Sequence, residues 1–160
     1  MAVDYFLKIE GIKGESRDDK HKDQIDILSY SWGATQSGSP GFGGGAGAGK
    51  VQFQDFHFTT RVGTASPQLF LGCATGEHFK SAILTTRKAG GAQQDFLIIK
   101  LNDVLVTSYQ NGGASGGDVP TDQFSLNFAQ INYEFKEQKE DGSLVPGSSG
   151  GWDIKANEKV

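Results

Sequence analysis

Apolar residues recur at every second position along most of the chain. Val3, Tyr5, Leu7 and Ile9 alternate with Asp4, Phe6 and Lys8, the period of a strand with one face buried. Residues 11–22 form a polar, charged connection, and residues 23–36 read as one long strand. Unbroken, that strand puts Ile25 and Ile27 on the same face as Ser29 and Ser31, with Leu28, Tyr30 and Trp32 on the reverse. The glycine-rich stretch 37–50, SGSPGFGGGAGAGK, has little side-chain volume for a core and much backbone freedom to lose. In residues 51–60, Val51 and Phe53 are out of phase with Phe56 and Phe58, which predicts a bulge near Gln54–Asp55.

A single helix follows, with Ser66 as its N-cap, Pro67 at the first helical position and Gly76 at its end. Leu69, Phe70 and Cys73 are its predicted packing face. The strand pattern returns from Phe79 to a turn at Gly90–Gly91. It returns again over 96–109, with Asn102–Asp103 as a bulge or turn between two halves. After a second glycine loop at 111–117, residues 121–135 read as a long strand. There the phase of Phe124, Leu126 and Phe128 gives way to that of Ile131, Tyr133 and Phe135, implying a bulge near Ala129–Gln130. A glycine-rich patch precedes a last short strand holding Trp152 and Ile154. About eight strands and one short helix give a mainly β fold, a small barrel or tightly curled sandwich. No internal repeat or domain boundary interrupts it, so residues 1–160 read as one domain.

Composition narrows the function classes. The 160 residues carry 11 Phe, 4 Tyr and 2 Trp, which supply core volume despite an apolar fraction of 36%. A net charge of −4 with interspersed signs argues against a nucleic-acid surface, which needs clustered basic residues. The one cysteine, Cys73, excludes an internal disulfide and fits a reducing compartment. The start MAVDYFLKIEG lacks the pattern of a signal peptide, and no apolar run approaches the ~20 residues of a membrane helix.

Three motif matches fail on context. Residues 44–50 (GGAGAGK) resemble a phosphate loop, but Val51 stands where a hydroxyl is needed and a strand follows instead of a helix. Ser115 and Ser149 each sit in a G-x-S-x-G match, yet His21, His57 and His78 all precede both serines, so neither is a nucleophile elbow. These serines read as parts of solvated loops. Asp55 and His57 would share a face only on an unbroken strand. Cys73 reads as a structural thiol, and Arg87–Lys88 as a solvated basic strand end. No catalytic, cofactor or metal site is predicted.

The landmarks, taken in order, are more informative. MAVDYFLKIEGIKGES, IDILSYSWG, GKVQFQDFHF, SPQLFLGCATGEHF, AILTTRKAGG, FLIIKLNDVLVTS and NFAQINYEF follow one another from the first residues to about Ile154. This series closely resembles the haemolysin-coregulated protein (Hcp) family, the tube protein of type VI secretion. The resemblance implies a small β-barrel of two curled antiparallel sheets with one flanking helix, assembling into a homo-hexameric ring. It further implies that rings stack into a tube, meet sheath and spike proteins, and are expelled from the cytoplasm without a signal peptide. Some members carry small effectors in the ring, and some bear a C-terminal toxin domain. This chain stops soon after its last strand and matches the plain structural form.

Within that picture Ser29 and Ser31 are channel-facing candidates. The extended loop at about 35–50, with Thr35, Gln36, Ser37, Gly38, Phe42 and Lys50, is the candidate ring-stacking element, Phe42 being its one large apolar group. Two other classes compete. A β-barrel binding module for carbohydrate or protein would use exposed rings at Tyr30, Trp32 and Trp152, although their strand phase favours burial. A metal-dependent barrel enzyme would use His57 and His78.

Overall fold

A computed structural model describes residues 2–36, 50–89 and 93–160. The first predicted strand is β1 (Val3–Ile9), but the second is broken into β2 (Ile25–Ile27), β3 (Ser29–Ser31) and β4 (Ala34–Thr35). The break at Leu28 corrects the sequence reading. Leu28 turns outward, 41% exposed, while its backbone N–H donates to the Thr59 carbonyl at 2.8 Å. This single outward residue lets Ile25 and Ile27 on one side of it, and Tyr30 and Trp32 on the other, all pack against the core.

The predicted irregularity at Gln54–Asp55 separates β5 (Gln52–Phe53) from β6 (Phe56–Arg61). Phe56 and Phe58 are buried, and the Gln54 N–H donates to the Gly33 carbonyl at 2.8 Å. The remaining strands are β7 (His78–Lys88), β8 (Asp95–Gly112), β9 (Thr121–Gln138), β10 (Leu144–Asp153) and β11 (Glu158–Lys159). Ser149 therefore lies inside β10, paired with Glu134, and not in a loop.

One antiparallel ladder runs β11–β10–β9–β8–β7–β1–β2, with β6 pairing the N-terminal part of β9 and β3 pairing β6. β4 and β5 form a separate two-stranded sheet. The fold is mainly β with one helix, as expected. Among the described residues, however, the strand ladder is not a closed barrel: β2 pairs with β1, and β3 pairs with β6 beyond the break at Leu28.

The core follows from the register. Tyr133, Ile99, Leu84, Leu7 and Ile25 form one cross-strand row, and Ile131, Leu101, Ala82 and Ile9 form the next. Further along the same strands the buried positions change parity. They pass from Leu84 and Ala82 to Phe79 in β7, from Ile99 and Leu101 to Val104 and Val106 in β8, and from Ile131 to Phe128 and Leu126 in β9. The phase change predicted near Ala129–Gln130 is thus present, but without a register shift, since Asn102↔Gln130 and Val104↔Phe128 stay in step. Asp103, with φ 54, makes the local turn of the backbone within β8. β8 is one strand through Asn102–Asp103, and its register shift falls instead between Val106 and Ser108.

The helix, α1 (Ala65–Thr75), begins before the predicted cap. Ser66 lies in its first turn, where its hydroxyl accepts from the Gly63 N–H and donates to Asp122. The cap arrives from a distant segment: Glu15 Oε1 accepts from both the backbone N–H (2.8 Å) and the hydroxyl (2.5 Å) of Thr64. Those two bonds hold the Glu15 carboxyl below its ordinary value. Gly76, with φ 71, ends the helix as predicted. The packing face is Ala65, Leu69 and Gly72, with Cys73 half-buried, and Phe70 is 54% exposed rather than packed inward. Gly72 allows the helix close to the sheet, because a Cβ there would lie 3.0 Å from the Phe79 ring and 3.4 Å from Val106.

The loop between β1 and β2 covers the reverse face of β1 and β7. There the sequence reading of Arg87 fails, for its side chain is 4% exposed. Its guanidinium donates to Asp18 at 2.7 Å, lies 3.5 Å from Asp4 and sits 4.8 Å over the Phe6 ring. His21 stacks on the same ring at 4.4 Å, with its nitrogens 3.1 Å from Gln24 and Asp95. A cation needs paired acceptors when buried, and two carboxylates and an aromatic ring supply that environment.

Two outcomes follow from this packing. Gly72→Val should overpack the helix–sheet contact and lower stability by about 2 kcal/mol in urea unfolding. The hydrogen bond from Arg87 holds the Asp18 carboxyl below its ordinary value of 3.8. Its stabilisation is therefore present above about pH 4 and lost as pH falls through the lowered folded value. Asp18→Asn should cost on the order of 1–2 kcal/mol at pH 7, a difference that shrinks towards zero in unfolding series carried to about pH 2.

Candidate functional site

A polar surface lies on the four-strand segment β3–β6–β9–β8. Alternation puts the ring side chains of Tyr30, Phe58, Phe124 and Tyr109 in one cross-strand row on the core side. The opposite face then carries two parallel rows. Ser29, Thr59, Gln123 and Gln110 form the first. Ser31, His57, Ser125 and Ser108 form the second. All of these except Ser125 border a depression of about 460 Å³.

Hydroxyl contacts hold this wall in register at its irregular point. Ser125 is 2% exposed, with its Oγ 2.7 Å from Thr107 Oγ1 and 2.5 Å from Ser108 Oγ. Thr107 also donates to Asp55 at 2.7 Å, and Asn127 donates to the other Asp55 oxygen at 2.9 Å. The register shift of β8 at Thr107 is what brings two consecutive hydroxyls onto Ser125.

Behind the wall the support is polar and dry. Asp122 is fully buried and accepts from Tyr109 Oη at 2.7 Å, from Asn111 Nδ2 at 2.9 Å and from the Ser66 hydroxyl. Burial first, and then the Asp122 carboxylate, push the Tyr109 phenol up. Aromatic packing continues the support: Trp32 stacks on Phe56 at 5.0 Å, and Phe58 on Phe124 at 5.1 Å.

The channel-facing candidates Ser29 and Ser31 are exposed and border the depression. Of the loop candidates, Thr35 pairs with Gln52 in the β4–β5 ladder, and Thr35, Gln36 and Lys50 are exposed. Ser37, Gly38 and Phe42 lie outside the described residues, as does all of the phosphate-loop match except Lys50. Sequence reasoning missed Thr59, Gln123, Gln110, Ser125 and Ser108 as partners of the two serines. Their signal is the polar half of the alternation in β6, β8 and β9.

The competing readings find less support. Tyr30, Trp32 and Trp152 are half-buried and packed against the core. His57 belongs to the polar wall, whereas His78 pairs with Asp103 at 2.8 Å. Among the described residues no group of three His, Cys, Asp or Glu side chains is placed to hold a metal ion.

Comparison with known proteins decides the family. A family model described as "Type VI secretion system effector, Hcp" matches residues 6–135. The chain belongs to the Hcp family. It is 48% identical over 159 residues to Protein hcp1 of Pseudomonas aeruginosa, covering 98% of each chain. Its fold superimposes with a TM-score of 0.93 on a structure of a type six secretion system protein, at 30% identity over 99% of this chain and 100% of that one. Hcp1 from Salmonella typhimurium aligns with a TM-score of 0.82 and 35% identity over the full length of both chains. This Hcp chain has no helix among its described residues long and apolar enough to cross a membrane.

Asp122 and Gln123 are adjacent on β9 and face opposite ways, which separates support from surface. Asp122→Ala should strand three donors and cost about 3 kcal/mol or more, whereas Gln123→Ala should stay within about 0.5 kcal/mol in the same denaturation assay.

Proposed function

We infer that this chain is the structural subunit of the type VI secretion tube. Family membership over residues 6–135 carries the reading. The subunits form a homo-hexameric ring, the rings stack, and the tube meets the sheath and spike proteins of the same machine. The polar wall on β3–β6–β9–β8 lines the channel, with Ser29 and Ser31 among its lining residues. A wet, uncharged lining suits a conduit, since an apolar face of that size would seal against its opposite number. Small effectors held in the channel touch this wall. The extended loop at about 35–50 reaches the adjacent ring. Thr35, Gln36 and Lys50 are exposed at its base. The protein waits in the cytoplasm before assembly and leaves the cell through the contractile machine, as a scaffold and not as an enzyme.

A closed ring uses two different patches on each subunit, so the contacts are heterologous. Unpaired strand edges and exposed apolar side chains are where such patches form. Phe70 and Leu71 on the helix and Phe135 on β9 are large exposed apolar groups of this kind.

Negative-stain imaging with native mass spectrometry should show a six-membered ring with a central hole. A monomer at high concentration would overturn the assembly. Phe42→Ala, or deletion of 43–47, should shorten tubes in micrographs while leaving single rings intact. Unchanged tube length would remove the loop from stacking.

A further inference from the structure

The chemistry of the polar wall is narrower than its role as a lining requires. Neither row contains Asp, Glu, Lys or Arg. Charge stands only at the margins: Arg61 lies beyond Thr59 on β6, and Asp55 lies beyond His57. The Asp55 carboxylate is already engaged, accepting from Thr107 and Asn127 through its two oxygens. This neutrality contrasts with the chain as a whole, in which 21% of residues are charged.

The side chains of the two rows are hydroxyls, carboxamides and one imidazole, with Tyr30, Phe58 and Phe124 of the core-side row completing the lining of the depression. Ser, Thr and Gln side chains both donate and accept hydrogen bonds, and a neutral imidazole does the same. Ser29, Ser31, His57, Gln110 and Gln123 are exposed, so their polar atoms are available to an incoming molecule. Such a surface matches a polypeptide main chain, which alternates N–H donors and C=O acceptors, without demanding a side-chain sequence. It offers nothing to compensate the desolvation of a charged side chain.

We propose that the wall takes protein cargo through neutral hydrogen bonding to main-chain amides and uncharged polar side chains, and discriminates against highly charged segments. The proposal rests on the reading of this face as the channel lining, and adds the chemical class of what is held there. Each bond replaces one to water, so the grip is modest per contact and comes from repetition across the subunits of a ring. Cargo of varied sequence is then retained in the conduit and released without any bond of high strength to break.

The test uses the full chain and three labelled peptides of equal length: a Gly-Ser-Asn-Gln peptide, poly-Glu and poly-Lys. Binding is read by fluorescence anisotropy, with the same samples imaged in negative stain. The neutral peptide should bind with an affinity that changes less than about twofold between about 50 and 500 mM salt, since screening acts only on charge. Both charged peptides should bind at least about tenfold more weakly at low salt. The double variant Gln110→Ala/Gln123→Ala should weaken the neutral peptide at least about fivefold, because it removes two exposed carboxamides from the first row. Tighter, salt-sensitive binding of either charged peptide would overturn the proposal, as would unchanged affinity in the double variant. Rings that bind no neutral peptide would overturn it while leaving the tube reading standing. Neutral-peptide binding by a chain that forms no rings would overturn the channel reading, and with it the proposal that the grip comes from repetition around a ring.

Discussion

The structure depends on a change of face shared by three neighbouring strands. β7, β8 and β9 all move their buried side chains from one parity to the other at the same level of the ladder, and the register between β8 and β9 stays in step across it. A phase change in one strand alone would put apolar groups into water on one side and polar groups into the core on the other. Made together, the changes let continuous strands serve two surroundings. Their ends near β1 contribute Leu84, Ile99 and Ile131 to the core, and their ends near β6 contribute Phe124 and Val106. The polar wall exists because β8 and β9 arrive at β6 with serines and glutamines pointing away from that second core region.

Much of this was legible in the residues. The alternation of β1, the break before Phe56, the phase change near Ala129–Gln130 and the αL glycine at Gly76 each have a local cause, and local causes can be read from a sequence. What could not be read were distant partners. Ser66 looked like a cap because the helix signal is local, yet Glu15 caps the helix across 49 positions. Arg87 looked solvated because Asp4 and Asp18 are remote in sequence. Leu28 looked like a core residue because an unbroken strand was assumed, and only the separate pairings of β2 and β3 force it outward. For the candidate site, Ser29 and Ser31 were found from strand parity, while their six companions come from three other strands and needed the register.

Polar groups fix the arrangement as firmly as apolar ones. Asp122 ties the helix, β8 and β9 together through Ser66, Tyr109 and Asn111. Arg87 ties the β1–β2 loop to β7. Each group would be costly to bury alone, and each has several partners, so each network tolerates only the native arrangement of its elements. The uncharged surface lies in front, and the buried carboxylate that locates β9 lies behind.

The central position of β9 also has a consequence in time. Its N-terminal part lies between β6 and β8, and its C-terminal part between β8 and β10. The β10 pairing waits on residues 144–153, the β8 pairing needs β9 as far as Phe135, and the β6 pairing needs it as far as Leu126. Until then β3 and β6 have only each other, and a two-stranded ribbon is marginal in water. The polar wall therefore comes into being only once β9 has been made, so a nascent chain that has not yet passed residue 126 has no finished wall to offer a partner.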